Sequence, residues 1–595
     1  MQLSEKLSLL RKKMEENGVH ACIIPSGDPH LSEYPANHWK TREWITNFTG
    51  SAGTLVVTNK EAGLWTDSRY WLQAEKQLDS AHIQLFKDGK PDVLSITEYL
   101  LQNLESGQTV GIDGALFSES YAQELSCAFN KKNIKINKCF NPISEIWEKR
   151  PPMPEDLITA IPDHLSGLSR NEKINQIREE MKKTGATHYA VAALDEIAWA
   201  LNLRGTDVLY NPVFYAYLLI SHDEVRLFIE PHKVSSHIFS KLAADKVIMK
   251  NYNTFYDYLN NLPKETVVFI DPKRTNSAVF GAVSKNSSIK KEESIITNLK
   301  AIKNETEIEN IRQTMIKDGI AFIRFLAWIR RTIKKEKLTE LTVTQKLKEL
   351  RKEQTGYLGE SFETISAYGE HGAIVHYAVT PESDVQLKPE GIYLCDSGAQ
   401  FITGTTDITR TIAFGEVSEQ AKTDYTLVLK GHIALADAIF PEGTRGVQLD
   451  VLARKHLWKN GLNYGHGTGH GVGYYLNVHE GPQSIRTQEN PVTLKAGMLT
   501  SNEPAIYREG EYGIRIENLI LCVEKEETSF GKFLGFETLT LCPFDNNLIR
   551  KELLTEDEIR WINNYHKKVY ETLAPLILCE SQAWLKEATQ PILLG

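Results

Sequence analysis

The sequence predicts a protein of α/β and α+β build: two similar α/β domains in its amino-terminal half, then a third domain in which helices give way to strands. Three observations carry this expectation. The first is an internal repeat. RKKMEENGVHACIIPSGD, from Arg11, and REEMKKTGATHYAVAALDEIAWALNLRG, from Arg178, place Gly18 and Gly185 167 residues apart. Each copy runs from an amphipathic helix through a glycine stop into a short apolar strand. The second is KRPPMPEDL at 149–157, whose adjacent prolines disfavour helix and mark a linker. The third is AIKNETEIENIRQTM, from Ala301. Here Asn304 and Glu307 form a capping box ahead of the apolar stripe Ile308, Ile311 and Met315. Domains over 1–150, 151–300 and 301–595 follow, because a chain of 595 residues is too long for one core.

The elements follow in order. Leu3, Leu7, Leu10 and Met14 recur at helical spacing, and Glu5, Lys6 and Arg11 interrupt them, so the amino terminus reads as a surface helix and not as a signal peptide. CIIP, GTLVVTN and AGLWTD are strands of the first copy. YAVAAL, FYAYLLIS and VRLFIEP are those of the second. A further helix in each ends at a glycine, in ITNFTG and in LNLRG. Helix alternating with strand in this way means two α/β domains of like build. In the third domain strands are expected after Tyr368. GIYLCDSG and TTDITRTIAF should pair antiparallel around Gly404. KTDYTLVLKGHIALADAIF and GVQLDVLARKHLWKNG read as helices, and MLTSNEPAIY and YGIRIENLILCV as strands. Thr555 and Glu558 cap a last helix, EIRWINNYHKKVYETL.

Composition excludes several classes. Hydrophobic residues at 41% and charged residues at 24% are those of an ordinary soluble protein. A net charge of −9 argues against a nucleic-acid partner, which would want a basic face. No run approaches the roughly 18 apolar residues of a membrane span. Seven scattered cysteines with no Cys-x-x-Cys fit reduced thiols in a cytoplasmic protein.

The chemistry gathers around HGTGHGVG, where His466 and His470 stand four residues apart. Four acids accompany it: Asp396 in LCDSG, Asp407 in TTDITRT, Glu503 in SNEPAIY and Glu517 in GIRIENLIL. Carboxylates with imidazole suit Mn²⁺, Fe²⁺, Co²⁺ or Zn²⁺. Four carboxylates exceed what one divalent ion needs and match two ions that share bridging acids and activate a water for hydrolysis. Asp396 shares a strand face with Ile392 and Leu394, so its carboxylate needs a positive partner. Asp407 can face it across paired strands. An Arg515–Glu517 ion pair is the plainer reading of GIRIEN. Glycines at 465, 467, 469, 471 and 473 let backbone approach a ligand or an ion closely. No P-loop lysine follows them, and Gly-x-Ser-x-Gly and His-Glu-x-x-His are absent. His376 in IVHYAVT and His479 in NVHEGP suit proton transfer or hydrogen bonding to a developing anion. Arg69 in WTDSRYW reads equally as a surface partner of Asp67.

The order Asp396, Asp407, His470, Glu503, Glu517 resembles the ligand set of the pita-bread metallopeptidases. IVHYAVTPE, DSGAQ, GTTDITRT, HGTGHGVG, LNVHEGP, NEPAIY and GIRIEN, with WTDSRYWLQAEKQLD and WINNYH far from them, are similar to the aminopeptidase P (X-prolyl aminopeptidase) family in its long, three-domain cytosolic form. The resemblance covers nearly the whole chain. It implies two creatinase-like domains before a pita-bread catalytic domain. It implies that Asp396 chelates one metal, that Asp407 and Glu517 bridge both, and that His470 and Glu503 complete the second, with Glu503 also the acid/base partner of the bridging water. It implies His376, His466 and His479 as substrate-contacting histidines and Arg69 as a substrate contact. The metal it implies is Mn²⁺, with Zn²⁺ or Co²⁺ possible, and the assembly a cytoplasmic homodimer.

The expected reaction is hydrolysis, by a hydroxide held between two ions, of the bond between an N-terminal residue and a penultimate proline. Two alternatives stand beside it: a prolidase restricted to dipeptides, and a non-catalytic pita-bread binding module. No nucleic acid and no membrane is expected as partner.

Overall fold

The computed structural model describes residues 1–593 apart from Ser284 and Asn286, in two compact units. The first comprises 1–163 and 168–297, the second 164–167 and 298–595.

In the first unit the repeat is plain in the topology. One six-stranded sheet is built around Ala21–Pro25, the other around His188–Val191, again 167 residues on. Ala21–Pro25 pairs antiparallel with Thr54–Thr58 and parallel with Thr109–Gly111. His188–Val191 likewise pairs antiparallel with Tyr217–Ser221 and parallel with Val267–Ile270. Beyond them each sheet continues through an antiparallel strand, Ala62–Thr66 or Val225–Phe228, to a parallel edge. The central strand is apolar on both faces because both are covered: Ala21 and Ile23 enter one core cluster, Cys22 and Ile24 another. Helix Leu3–Glu16 buries Leu3, Leu7, Leu10 and Met14. Its counterpart Arg170–Thr184 starts at a Ser169–Glu172 capping box and stops at Gly185 with φ +76°, a left-handed conformation that glycine adopts without strain.

The second unit opens with helix Glu305–Thr332, capped by Asn304 and Glu307 as the sequence indicates. A three-stranded sheet places Gly391–Ser397 between Ile365–Tyr368 and Ile408–Phe414. A six-stranded sheet runs in the order Ile439–Pro441, Gly531–Thr538, Asn518–Thr528, Leu499–Asn502, Gly469–Gly471, Glu480–Ile485. Helices Glu419–Ala436, Gly446–Trp458 and Glu556–Leu573 fall on the segments read as helical, the last with its Thr555–Glu558 box, but the first stops at Ala436 and the Ile439 and Phe440 read as its end belong to a strand. One core cluster joins the opening helix, the three-stranded sheet and the closing helices.

Three strand expectations change: MLTSNEPAIY is the two strands Leu499–Asn502 and Ala505–Arg508, parted at Glu503–Pro504. Strands begin earlier than Tyr368: Tyr357–Glu360 pairs with Ala399–Phe401, and its glycine and polar residues hid it from a reading based on alternation. YGIRIENLILCV is two strands, Tyr512–Arg515 and Asn518–Thr528. The chain leaves one ladder at Ile516 to enter another, and the Glu517 amide bonds the Thr409 carbonyl between them. The seven cysteines are all free thiols. Among the described residues no helix is long and apolar enough to cross a membrane.

Candidate metal centre

The five candidate ligands all lie in the second unit, at the ends and breaks of its strands. Asp396 is near the end of Gly391–Ser397, level with Thr409. Asp407 directly precedes Ile408–Phe414, so it stands diagonal to Asp396 and not opposite it. His470 is in the middle of Gly469–Gly471. Glu503 follows Leu499–Asn502 where Pro504 interrupts the ladder, and Glu517 occupies the break just described.

Asp407, His470 and Glu517 offer ligand atoms all within 4.8 Å of one another. His470 Nε2 lies 3.5 Å from Asp407 Oδ2 and 3.5 Å from Glu503 Oε1. Its other ring nitrogen, Nδ1, is 2.9 Å from the Gly471 carbonyl. That carbonyl can only accept, so Nδ1 carries a proton, and Nε2 is the nitrogen that faces the acids and would be free to ligate once a cation takes the place of its proton. Thr409 Oγ1 donates to Glu517 Oε2 at 2.7 Å, and Ser501 Oγ donates to Glu503 Oε1 at 3.0 Å.

The electrostatics call for cations. Burial, then the charges of Asp407, Glu503 and Asp396, push the Glu517 carboxyl well above the ordinary carboxylate range. Burial pushes Glu503 up to about 7, opposed by His470. Burial also raises Asp396, against the pull of Arg515. For His470 burial works downward, but Asp407 and Glu503 overcome it and lift the imidazole to about 9. Three carboxyls pushed towards their neutral form, gathered with Asp407 around one guanidinium among the described residues, are a site short of positive charge. Asp396 Oδ1 is buried and makes no hydrogen bond among the described residues. An orphaned carboxylate oxygen of that kind, with hard oxygen donors and one imidazole around it, fits divalent metal.

Arg515 is where the plain reading of GIRIEN fails. It pairs with Asp396 (Nη2–Oδ2 2.6 Å) and not with Glu517. The strand break at Ile516 turns the two side chains to different neighbours. Arg515 Nη1 also donates to the Tyr507 hydroxyl at 2.6 Å, and that hydroxyl lies 2.8 Å from His466 Nε2. His466 Nδ1 is 3.9 Å from Glu503 Oε2. His479 sets its ring edge-on to His470, centroids 4.4 Å apart. His376 follows Val375, whose carbonyl accepts from Arg515 Nη2 at 3.4 Å. Arg69 lies in the first unit, where its guanidinium makes two 2.8 Å bonds to Asp67, the pairing that the sequence offered. Tyr507 and Thr409 escaped the sequence reading, since a lone tyrosine or threonine in a strand carries no signal of its own.

Two of the alternating glycines let neighbouring backbone come close. A Cβ on Gly469 would run into the Ser501 carbonyl, and one on Gly471 into the Glu480 carbonyl. The space they clear is filled by neighbouring strands, which brings the His470 strand close against the strand leading to Glu503.

Residues 309–524 match the model of metallopeptidase family M24, and 532–592 that of the C-terminal region of peptidase M24. Residues 6–146 and 149–307 each match a creatinase/prolidase N-terminal domain. The chain is 42% identical to a probable Xaa-Pro aminopeptidase P of Laccaria bicolor, over 99% of this chain and 94% of that one. It is 41% identical to Xaa-Pro aminopeptidase 1 of Dictyostelium discoideum, over 99% and 97%. The crystal structure of an X-prolyl aminopeptidase from Caenorhabditis elegans, described as a cytosolic enzyme with a di-nuclear active site, superposes with a TM-score of 0.95 at 34% identity, covering 100% of both chains. With two creatinase-like domains ahead of a pita-bread domain that gathers these acids and histidines, the chain belongs to metallopeptidase family M24, in its aminopeptidase P group.

Proposed function

We propose that this chain is a metal-dependent aminopeptidase that hydrolyses the bond between an N-terminal residue and a penultimate proline. The observation that supports this most directly is the Asp407, His470 and Glu517 cluster, in a chain alike over its whole length to curated Xaa-Pro aminopeptidases. In this reading 1–150 and 151–300 are the N-terminal domains and 301–595 the catalytic one. Asp396, Asp407, His470, Glu503 and Glu517 would hold two divalent ions, Mn²⁺ by preference, with Zn²⁺ or Co²⁺ compatible with the same donors. When bound, such ions supply a nucleophile from water at neutral pH and polarise the scissile carbonyl.

The chain's own residues do the rest. Glu503 receives the proton that water loses and returns it to the departing proline nitrogen. His376 or His479 donates to the carbonyl oxygen as it gains charge, a contribution whose loss costs about two to three decades of rate in comparable sites. His466, held by Tyr507 beside Glu503, contacts the substrate, and Arg69 is assigned a further substrate contact. Proline has no amide hydrogen and a fixed φ, so shape must recognise it where backbone pairing cannot. The enzyme acts in the cytoplasm as a homodimer.

The test compares Ala-Pro-Ala with Ala-Ala-Ala on the Mn²⁺-loaded protein, with elemental analysis of bound metal. Cleavage of Ala-Pro-Ala alone is expected. Equal rates on both would remove proline specificity, activity confined to dipeptides would mark a prolidase, and a protein that binds no metal would leave only a binding module.

A further inference from the structure

Glu340 lies outside the metal centre, at the start of helix Glu340–Lys352, with its side chain fully buried. Its carboxylate is the convergence point of three donors from one segment. The Tyr368 amide donates to Oε1 at 2.7 Å. His371 Nδ1 lies 2.9 Å from Oε1 and 3.1 Å from Oε2. The Tyr377 hydroxyl donates to Oε2 at 2.9 Å. The rings of His371 and Tyr377 stack with centroids 4.4 Å apart. Burying a carboxylate is costly unless such donors meet it, so these groups must be in place together.

The same segment is gripped from its other side. Gly372 and Gly513 touch backbone to backbone, with no room for a Cβ on either. The Val375 carbonyl accepts from Arg515. His376 is thus flanked by Val375, tied to Arg515, and by Tyr377, tied to Glu340.

We infer that Glu340 is a positioning residue for the reaction: through Tyr368, His371 and Tyr377 it holds 368–377 in one conformation and so fixes where His376 meets the substrate. This rests on the role proposed for His376. The segment is then a preorganised wall of the site and not a lid that closes on it.

Three variants of the full-length Mn²⁺ protein test this. Glu340→Ala removes all three anchors. It is expected to speed amide exchange over 369–377 by about tenfold or more while exchange elsewhere holds. It is also expected to lower kcat on Ala-Pro-Ala by roughly 10- to 100-fold, with KM within about threefold and metal content unchanged. Glu340→Gln keeps the shape: its oxygen still accepts from Tyr368 and His371, and its amide donates to the Tyr377 hydroxyl, which keeps its bond to Ser383. It should restore most of kcat. Tyr377→Phe deletes one anchor and, if the alanine variant does not fold, carries the test with a loss of about three- to tenfold. Exchange over 369–377 unchanged in Glu340→Ala, or in Tyr377→Phe where that variant stands in, would overturn the inference. So would a loss of kcat that simply follows lost metal. If the unaltered protein leaves Ala-Pro-Ala intact, the functional reading falls, and exchange alone decides whether Glu340 holds the segment.

Discussion

Removing the Arg515 guanidinium is the sharpest physical probe of the metal centre. Arg515→Met keeps an aliphatic stem of similar reach. Arg515 is 2% exposed and bonds Asp396, Tyr507, Thr409 and the Val375 carbonyl. Without it Asp396, whose Oδ1 is already orphaned among the described residues, is left as a buried carboxylate with no counter-charge. Breaking a buried pair by removing one partner costs roughly 3–5 kcal/mol, against about 1 kcal/mol or less for an exposed pair. For a large folding unit about 2 °C of melting temperature accompanies each kcal/mol, so the metal-free variant should melt about 6–10 °C lower. Bound Mn²⁺ would supply part of the missing positive charge, so the loaded variant should lose less. The assay is thermal melting in EDTA and in excess Mn²⁺, for Arg515→Met, Asp396→Asn and the double variant. The double variant should be less destabilised than the sum of the two single ones, because each single change strands a partner that the double removes. A drop of less than about 2 °C, an equal drop with and without metal, or simple additivity would refute the claim that this pair balances the acid cluster.

Two further outcomes follow from the same geometry. Asp407→Asn should lower bound metal and reduce turnover of Ala-Pro-Ala by roughly three decades or more; turnover retained at full metal content would remove Asp407 from the mechanism. His432 and His566 should make the folded state acid-sensitive. Burial, with Arg410 adding to it, pushes both imidazoles down to about 3. Above about pH 6.5 each is neutral whether folded or not. Below that the unfolded chain takes up protons that the folded chain refuses, so stability falls as pH drops from about 6.5 towards 3, by at most about 1.4 kcal/mol per pH unit for each histidine. In the metal-free protein the raised acids of the metal centre titrate in the opposite sense, so the readout is the difference in melting temperature between the unaltered protein and His566→Gln from pH 7.5 to 4.5; a difference that stays constant with pH would contradict it.

The fold class was legible because its signals are local and periodic. The Gly18 and Gly185 helix stops, the apolar strands after them and the Asn304 and Thr555 caps each declare themselves within a few residues. The identity of the acids was legible for a different reason: a carboxylate on an apolar strand, such as Asp396, stands out against its neighbours. What joins the acids was not legible. The sequence offered Glu517 as the partner of Arg515, two positions away, and only the break at Ile516 sends that guanidinium to Asp396, 119 residues distant. The Tyr507 link to His466 and the Thr409 bond to Glu517 also join distant positions, 41 and 108 residues apart, set by packing between sheets and not by spacing along the chain.

The two glutamates share one structural cause. Leu499–Asn502 pairs with Asn518–Thr528 up to Asn502 opposite Asn518. Ala505–Arg508 pairs with Tyr512–Arg515 from Ala505 opposite Arg515. The two interruptions, Glu503–Pro504 and Ile516–Glu517, therefore lie level with each other. Both chains leave the six-stranded sheet at that line and re-pair as a separate hairpin beyond it. Pro504 has no amide hydrogen for the ladder, while its carbonyl accepts from Ile516 and the Glu517 amide turns to Thr409 of the three-stranded sheet. Alternation along an unbroken strand would place 503 and 517 by parity alone. The paired break frees both from that constraint and brings Glu503 beside His470 and Glu517 beside Asp407. Glu503 and Glu517 reach the cluster because two strands break at the same place, and divalent cations bound there would supply the charge that makes such a gathering tolerable in a buried site.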